Sequence, residues 1–368
     1  MKICYLNHDL KDTTGAGRFC LSLIKEIKNI FSEAEIIVLT SEAGDGLEKP
    51  ILKNGLLGVV FSLSQIRRIF KECDVIHALD GWPYGFMALL AALGLKKKII
   101  ITAIGSGAVA PLYSVWRRPL IKWAYRRASQ LTAISHNTKR EILKVIPDLK
   151  IAVINHGVDY EKFSHFAEAS RDKQNSSFKP YILSVGALKP RKGFEYSIKA
   201  FAQITQRFPD IKYVIFGADN SKGKKEQARL NQIAGELGIK DRIVFLSQKI
   251  SDAELAALYK NAELFILMPQ DVNKDMEGFG LVFLEAAACG LPVVSAKNTS
   301  AEDAVLDGKN GILAPAQDAA AAAAAAVIKI LSDQNLKESF SQESLAFAQK
   351  MSWQKTASEY AELYRIPK

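Results

Sequence analysis

Residues 261–295 read NAELFILMPQDVNKDMEGFGLVFLEAAACGLPVVS, and the order of elements in this stretch decides the fold. Leu264 to Leu267 are a short apolar run that fits a buried strand, Pro269 closes it, and an acidic, Asn-containing loop follows. A helix is predicted to begin near Gly278 to Gly280, where unpaired backbone N–H groups and the positive end of the helix dipole suit a phosphate. Glu277 precedes that turn. Glu285 lies eight residues further on, slightly more than two helical turns, so both carboxylates can face one ligand. Gly290 and Pro292 end the helix, and Val293 and Val294 open another buried strand. Strand, loop, helix and strand in this order belong to a parallel α/β sheet.

Two glutamates at this spacing occur by chance in many helices, but the EGFGLVFLEA text around them and the ACGLPVV after them are specific. Together they resemble the signature of the family 4 retaining glycosyltransferases of GT-B fold. The resemblance implies two Rossmann-like, doubly wound α/β domains facing a central cleft. It also implies transfer of a sugar from a nucleotide-diphosphate donor, UDP- or GDP-linked, with no cofactor and no obligatory metal. Glu277 would stand beside the donor sugar and Glu285 would hold the ribose. Amides of Gly278, Phe279, Gly280 and Leu281 would meet the diphosphate, and the backbone near Ile250 would border the base.

Length and composition agree with two domains. A chain of 368 residues exceeds the ~250 to 300 at which a single core stops growing. With 48% hydrophobic and 24% charged residues it has the composition of an ordinary globular protein. No apolar run reaches the ~20 residues of a spanning helix, and Met1 leads straight into a strand, so a cytoplasmic protein is expected. Cys4, Cys20, Cys73 and Cys289 form no CxxC pair and read as reduced core residues.

The net charge of +10 is uneven. Residues 1–176 contain 25 Lys and Arg against 17 Asp and Glu, and residues 177–368 contain 24 against 22. A basic first half can face nucleic acid, an anionic lipid surface or an acidic acceptor; with the resemblance, no nucleic-acid partner is expected. Within residues 111–128, PLYSVWRRPLIKWAYRRA, five basic residues and four aromatics occur with no acid. Pro119 suits a first helical turn. Arg118, Lys122 and Arg126 then line one side and Trp123 another, which predicts either a membrane-surface helix or an ordinary surface helix with Trp123 in the core.

The chain opens with the strand KICYL, a loop containing Gly15 and Gly17, and an apolar-periodic helix from Phe19 to Ile30. In the resemblance these glycines let the backbone approach the donor diphosphate. Further strands are predicted at Ile36 to Leu39, Val59 to Ser62 and Val75 to Ala78, with a helix near Ser64 to Lys71. His77 and Asp80 fall at the end of the Val75 strand, where α/β sheets bind ligands, and His77 is a candidate catalytic residue. Family members often carry a histidine where this chain has Ile104, a departure on the acceptor side. The second domain begins YILSVGALKPRKGF, a strand and a basic loop before a helix near Gly193. Lys192 matches a family lysine. Ala187 stands where an arginine is common, and Arg191 supplies that charge.

The sequence thus predicts an acceptor domain at 1–163, a polar linker at 164–178 and a nucleotide-sugar domain at 179–351, with the helix 352–368 packing back on the first. The expected activity is sugar transfer to a glycan or lipid-linked acceptor in cell-surface polysaccharide or lipopolysaccharide synthesis. Two other readings remain open: another GT-B enzyme such as a nucleotide-sugar epimerase, and a non-catalytic membrane-surface binding protein.

Overall fold

The structure is a computed structural model and describes residues 1–12, 14–43, 46–53, 56–169, 178–217, 221–248 and 250–365. These fall into two compact units, Met1–Gly157 with Trp353–Lys368, and Val158–Ser352.

The first unit has strands β1 (Lys2–Leu6), β2 (Glu35–Leu39), β3 (Glu48–Lys49), β4 (Val75–Leu79), β5 (Lys98–Ala103), β6 (Gln130–Ala133) and β7 (Ala152–Val153). They form one sheet in the order β3-β2-β1-β4-β5-β6-β7, all parallel. Its central strands are buried on both faces, which is why ICYL and VIHAL are near-continuous apolar runs rather than alternating ones. The second unit has β8 (Tyr181–Val185), β9 (Lys212–Phe216), β10 (Ile243–Leu246), β11 (Phe265–Ile266), β12 (Val293–Ala296) and β13 (Gly311–Ala314), again parallel, in the order β10-β9-β8-β11-β12-β13. Strand order reverses direction between β1 and β4 in the first sheet and between β8 and β11 in the second. Loops leaving these strands at their carboxyl ends diverge and leave a crevice, the place where doubly wound sheets bind ligands.

The helix Trp353–Tyr364 belongs to the first unit and packs on the helix Gly15–Ile30. Tyr360 and Tyr364 are fully buried there. Within the second unit the two ends of its chain run side by side, with the Val158 amide donating to the Met351 carbonyl at 2.7 Å.

Two sequence expectations change. Val59 to Ser62 is no strand: residues Leu56–Glu72 form a single helix. Val59, Ile66 and Phe70 are buried on one of its faces, so the helical repeat overrides the β preference of Val59, Val60 and Phe61. The expected linker is also helical through Ala169, within the helix Tyr160–Ala169. Phe163 anchors that helix, packing edge-on against Tyr259 at 6.1 Å. The remainder of the expected linker, 170–177, lies outside the described residues.

Candidate functional site

The crevice of the second sheet is built from the loops after β8 and β11. Pro190–Lys192 form a single tight turn, and Gly193 follows in the left-handed region at φ 68° before the helix Phe194–Arg207. A side chain at Gly193 would place Cβ 1.6 Å from the Met268 carbonyl oxygen, so the glycine lets the two loops touch. The Arg191 carbonyl accepts from the Gln270 amide at 2.8 Å and ties them further.

This contact brings Arg191, Lys192 and Glu277 together, as the motif suggests. Glu277 Oε2 accepts from Arg191 Nη1 at 2.5 Å, and Lys192 Nζ lies 3.0 Å from Glu277 Oε1. Arg191 is steadied by Asp275 at 3.3 Å through Nε and donates to the Met276 carbonyl at 3.3 Å. Burial pushes the Glu277 carboxyl up, but Lys192 and Arg191 outweigh it and hold the group below the usual carboxylate range. Glu277 and Asp275 thus balance the two cations, and a ligand that displaced the nearly buried Glu277 would meet both an arginine and a lysine. Such a site suits an anion with oxygens enough for both.

Gly280 also adopts the left-handed region, at φ 84°, and starts the helix Leu281–Ala288, later than Gly278. Gly280 has no side chain to cap that end, and of the first-turn amides the Phe283 N–H donates to the Gly280 carbonyl at 3.0 Å. Gly278 and Phe279 form the approach to it, with Phe279 buried. Glu285 is buried on the helix and accepts from the Tyr259 hydroxyl at 2.9 Å. Tyr259 lies 26 residues away and carries no sequence signal for this contact. Ile250 is half-buried directly before the capping box of the helix Asp252–Lys260.

In the first unit Thr14 caps the helix Gly15–Ile30, accepting from the Gly17 amide at 3.0 Å, and its hydroxyl donates to Asp9 at 2.6 Å. Gly15 faces open space, whereas a Cβ at Gly17 would lie 2.1 Å from the Lys11 carbonyl oxygen. Only the second glycine is sterically required. Asp80 follows β4 at φ 139°, a backbone conformation that a non-glycine residue rarely adopts. Its carboxylate accepts from the Gly81 amide at 2.8 Å, and burial pushes its pKa up to about 7. Tyr84 in the same loop bonds through its hydroxyl to His8 and Ser41, at 3.1 and 3.0 Å.

His77 is a core residue and is removed from the catalytic candidates. It is fully buried; Nδ1 meets the Tyr364 hydroxyl at 2.6 Å and Nε2 meets Thr102 at 2.7 Å. The mid-strand position and the two hydrogen bonds leave its ring no route to a ligand. In the basic segment, Arg126 chelates Asp148 at 2.9 and 3.0 Å, and Trp123 packs edge-on against Phe86. Arg118 is exposed and Lys122 half-buried. Cys4, Cys20, Cys73 and Cys289 are buried free thiols.

Two doubly wound parallel sheets, the second with Arg191, Lys192 and Glu277 at the crevice where strand order reverses, define a class of two-unit α/β proteins with a polar site at strand ends. Residues 13–162 match the family described as Glycosyltransferase Family 4, and residues 166–346 match Glycosyl transferases group 1. The chain belongs to the family 4 glycosyltransferases, of GT-B fold. It is similar to the GDP-mannose-dependent alpha-(1-6)-phosphatidylinositol monomannoside mannosyltransferase of Mycolicibacterium smegmatis, 28% identical over 69% of this chain and 67% of that protein. It is also similar to the D-inositol 3-phosphate glycosyltransferase of Corynebacterium urealyticum, 34% identical over 59% of this chain and 51% of the relative. The match therefore spans two thirds of the first relative and about half of the second. The fold is shared with the sucrose-phosphate synthase of Thermosynechococcus elongatus, at a TM-score of 0.79 and 21% identity over 99% of this chain and 98% of that one. Anabaena HepE, solved in complex with UDP and glucose, gives 0.79 and 21% over 98% of each chain.

Proposed function

We propose that this chain transfers a sugar from a nucleotide-diphosphate donor to a glycan or lipid-linked acceptor, with retention at the anomeric carbon, in cell-surface polysaccharide or lipopolysaccharide synthesis. The observation that carries the reading is the Arg191, Lys192 and Glu277 constellation at the crevice of the second sheet. On this reading the two cations leave the carboxylate and take up charge on the departing diphosphate, the form of stabilisation most useful where charge develops. First-turn amides of the helix Leu281–Ala288 add donors for the same phosphates. Glu277, once released, orients the donor sugar, and Glu285 holds the ribose. We assign no protein nucleophile. The names of the relatives support a GDP- or UDP-linked donor, since one is called GDP-mannose-dependent and HepE was solved with UDP.

A lipid-linked acceptor would require work at the cytoplasmic face of a membrane, as a peripheral protein. No helix among the described residues is long and apolar enough to cross one.

The test is titration with UDP, GDP and ADP, followed by NMR of the product formed from the donor that binds. Lys192→Ala should weaken nucleoside-diphosphate binding by ~1.5 to 3 kcal/mol, the value of a lost charge-assisted hydrogen bond. The product should keep the donor's anomeric configuration. Unchanged nucleotide affinity in Lys192→Ala would remove the assignment. Release of free, epimerised sugar without acceptor would replace transfer by epimerisation.

A further inference from the structure

Between β11 and the helix Leu281–Ala288 the chain does not run directly to Glu277. Residues 271–275, DVNKD, fold into a miniature hairpin: the Val272 amide donates to the Asp275 carbonyl at 3.0 Å, and the Asp275 amide returns a bond to the Val272 carbonyl at 2.9 Å. Its two turn residues, Asn273 and Lys274, stand at φ 53° and 66°, so both are left-handed, as the tightest hairpin turns require. Asparagine tolerates that region, but a lysine there is disfavoured and glycine is the usual occupant. The Asp271 carboxylate holds the lysine in place, accepting from its amide at 2.8 Å and lying 3.5 Å from its ammonium. Non-glycine residues kept in this region collect at functional sites, where the surroundings over-determine them.

The turn delivers three consecutive residues to one guanidinium. Arg191 meets Asp275 Oδ1 through Nε at 3.3 Å, the Met276 carbonyl through Nη1 at 3.3 Å, and Glu277 Oε2 through the same Nη1. On the entry side the Gln270 amide donates to the Arg191 carbonyl at 2.8 Å, so the hairpin is tied to this residue at both ends. The two carboxylates are placed differently. The Glu277 side chain is 10% exposed and shared with Lys192, whereas that of Asp275 is 55% exposed and lies on the Nε edge. A ligand that takes Nη1 from Glu277 leaves the Nε contact standing.

We propose that the hairpin Val272–Asp275 is the positioning element for Arg191, and that Asp275 holds the guanidinium by Nε while Nη1 passes from Glu277 to the diphosphate of the donor. This rests on the reading that Arg191 takes up charge on that diphosphate. Without Asp275 the arginine would lose its second carboxylate as the first is displaced, and ordering its long side chain again would cost binding. The assignment predicts the opposite of simple electrostatics, since an acid beside an anion site otherwise repels the ligand.

The experiment is calorimetric titration of the full chain with UDP, GDP and ADP, read on the one that wild type binds most tightly. Asp275→Asn should weaken binding about two- to fivefold, the size of a half-exposed ion pair. In an Arg191→Ala background the same change should have no effect. Lys274→Gly and Lys274→Val delete the same ammonium and differ in what they ask of the turn, so the glycine form should bind at least about fivefold more tightly than the valine form. Equal affinity in those two forms, tighter binding by Asp275→Asn, or an undiminished effect of Asp275→Asn without Arg191 would overturn the proposal. Weakened binding by Arg191→Ala and Lys192→Ala beside wild-type binding by Asp275→Asn would overturn it alone and leave sugar transfer standing. Wild-type affinity in Arg191→Ala, or no binding of any of the three by wild type, would remove the diphosphate reading of Arg191 and this proposal with it.

Discussion

Glu277 is held by two cations before any ligand arrives, so a diphosphate must compete with a carboxylate of this same chain. Glu277→Gln removes the competitor while leaving a side chain of the same size. The expected result is nucleoside-diphosphate affinity equal to or above wild type, with turnover sharply reduced; calorimetry and a transfer assay on one preparation check both. A tenfold loss of nucleotide affinity would show that Glu277 serves the phosphates and not the sugar. Gly193→Ala should act oppositely, abolishing nucleotide binding, because its Cβ would press on the backbone at Met268 and part the two loops. Arg191, Lys192 and Glu277 were legible in the sequence because each lies in a short run of motif text. Asp275 and Tyr259, which steady Arg191 and Glu285, were not: their partners lie far along the chain, and an ordinary loop acid or helix tyrosine reads the same.

At the scale of elements, the helix Trp353–Tyr364 is keyed to the sheet through buried polar atoms. The Tyr364 hydroxyl meets both His77 Nδ1 at 2.6 Å and the Tyr5 hydroxyl at 3.1 Å. Tyr364→Phe deletes both contacts and should cost about 1–3 kcal/mol in denaturant unfolding, because polar partners are left buried without it. Burial also lowers His77 to about 3, and His156, stacked on Phe19 at 4.4 Å, to about 3. Both are depressed from an ordinary 6.5, so their stabilisation is present above about pH 6.5 and lost as pH falls toward 3. Asp80 is raised to about 7, so its contribution runs the other way, being lost as pH rises through 7. Two imidazoles outweigh one carboxyl, and net stability should fall on acidification below pH 6.5. Urea midpoints at pH 7 and 5 measure it: His156→Phe should flatten the slope and Asp80→Asn should steepen it. The sequence placed His77 on the correct strand but at the wrong task, since its partner Tyr364 lies 287 residues away. It also read Val59 to Ser62 as a strand, because three residues of β-forming type in a row cannot reveal a helical repeat that closes only with Ile66 and Phe70.

Across the whole molecule, both doubly wound units were legible, because strand, glycine loop and helix recur in order and the strands are continuous apolar runs. The location of the chain's excess charge was legible as a difference between halves and, within the first, as the acid-free segment 111–128. The first unit is made of two separated pieces of chain, residues 1–157 and 353–368, with the second unit inserted between them. Deleting 353–368 should therefore damage the first unit and spare the second. Limited proteolysis should then leave a resistant fragment near 158–352 that still binds nucleoside diphosphate, and loss of that binding would refute it. The same arrangement constrains biosynthesis. As the polypeptide leaves the ribosome, the second unit is complete by residue 352, while the sheet that was translated first still lacks Tyr360 and Tyr364 over β4 and β5. The half made first is finished last, and during that interval its uncovered apolar face is the part of the nascent chain most in need of a chaperone.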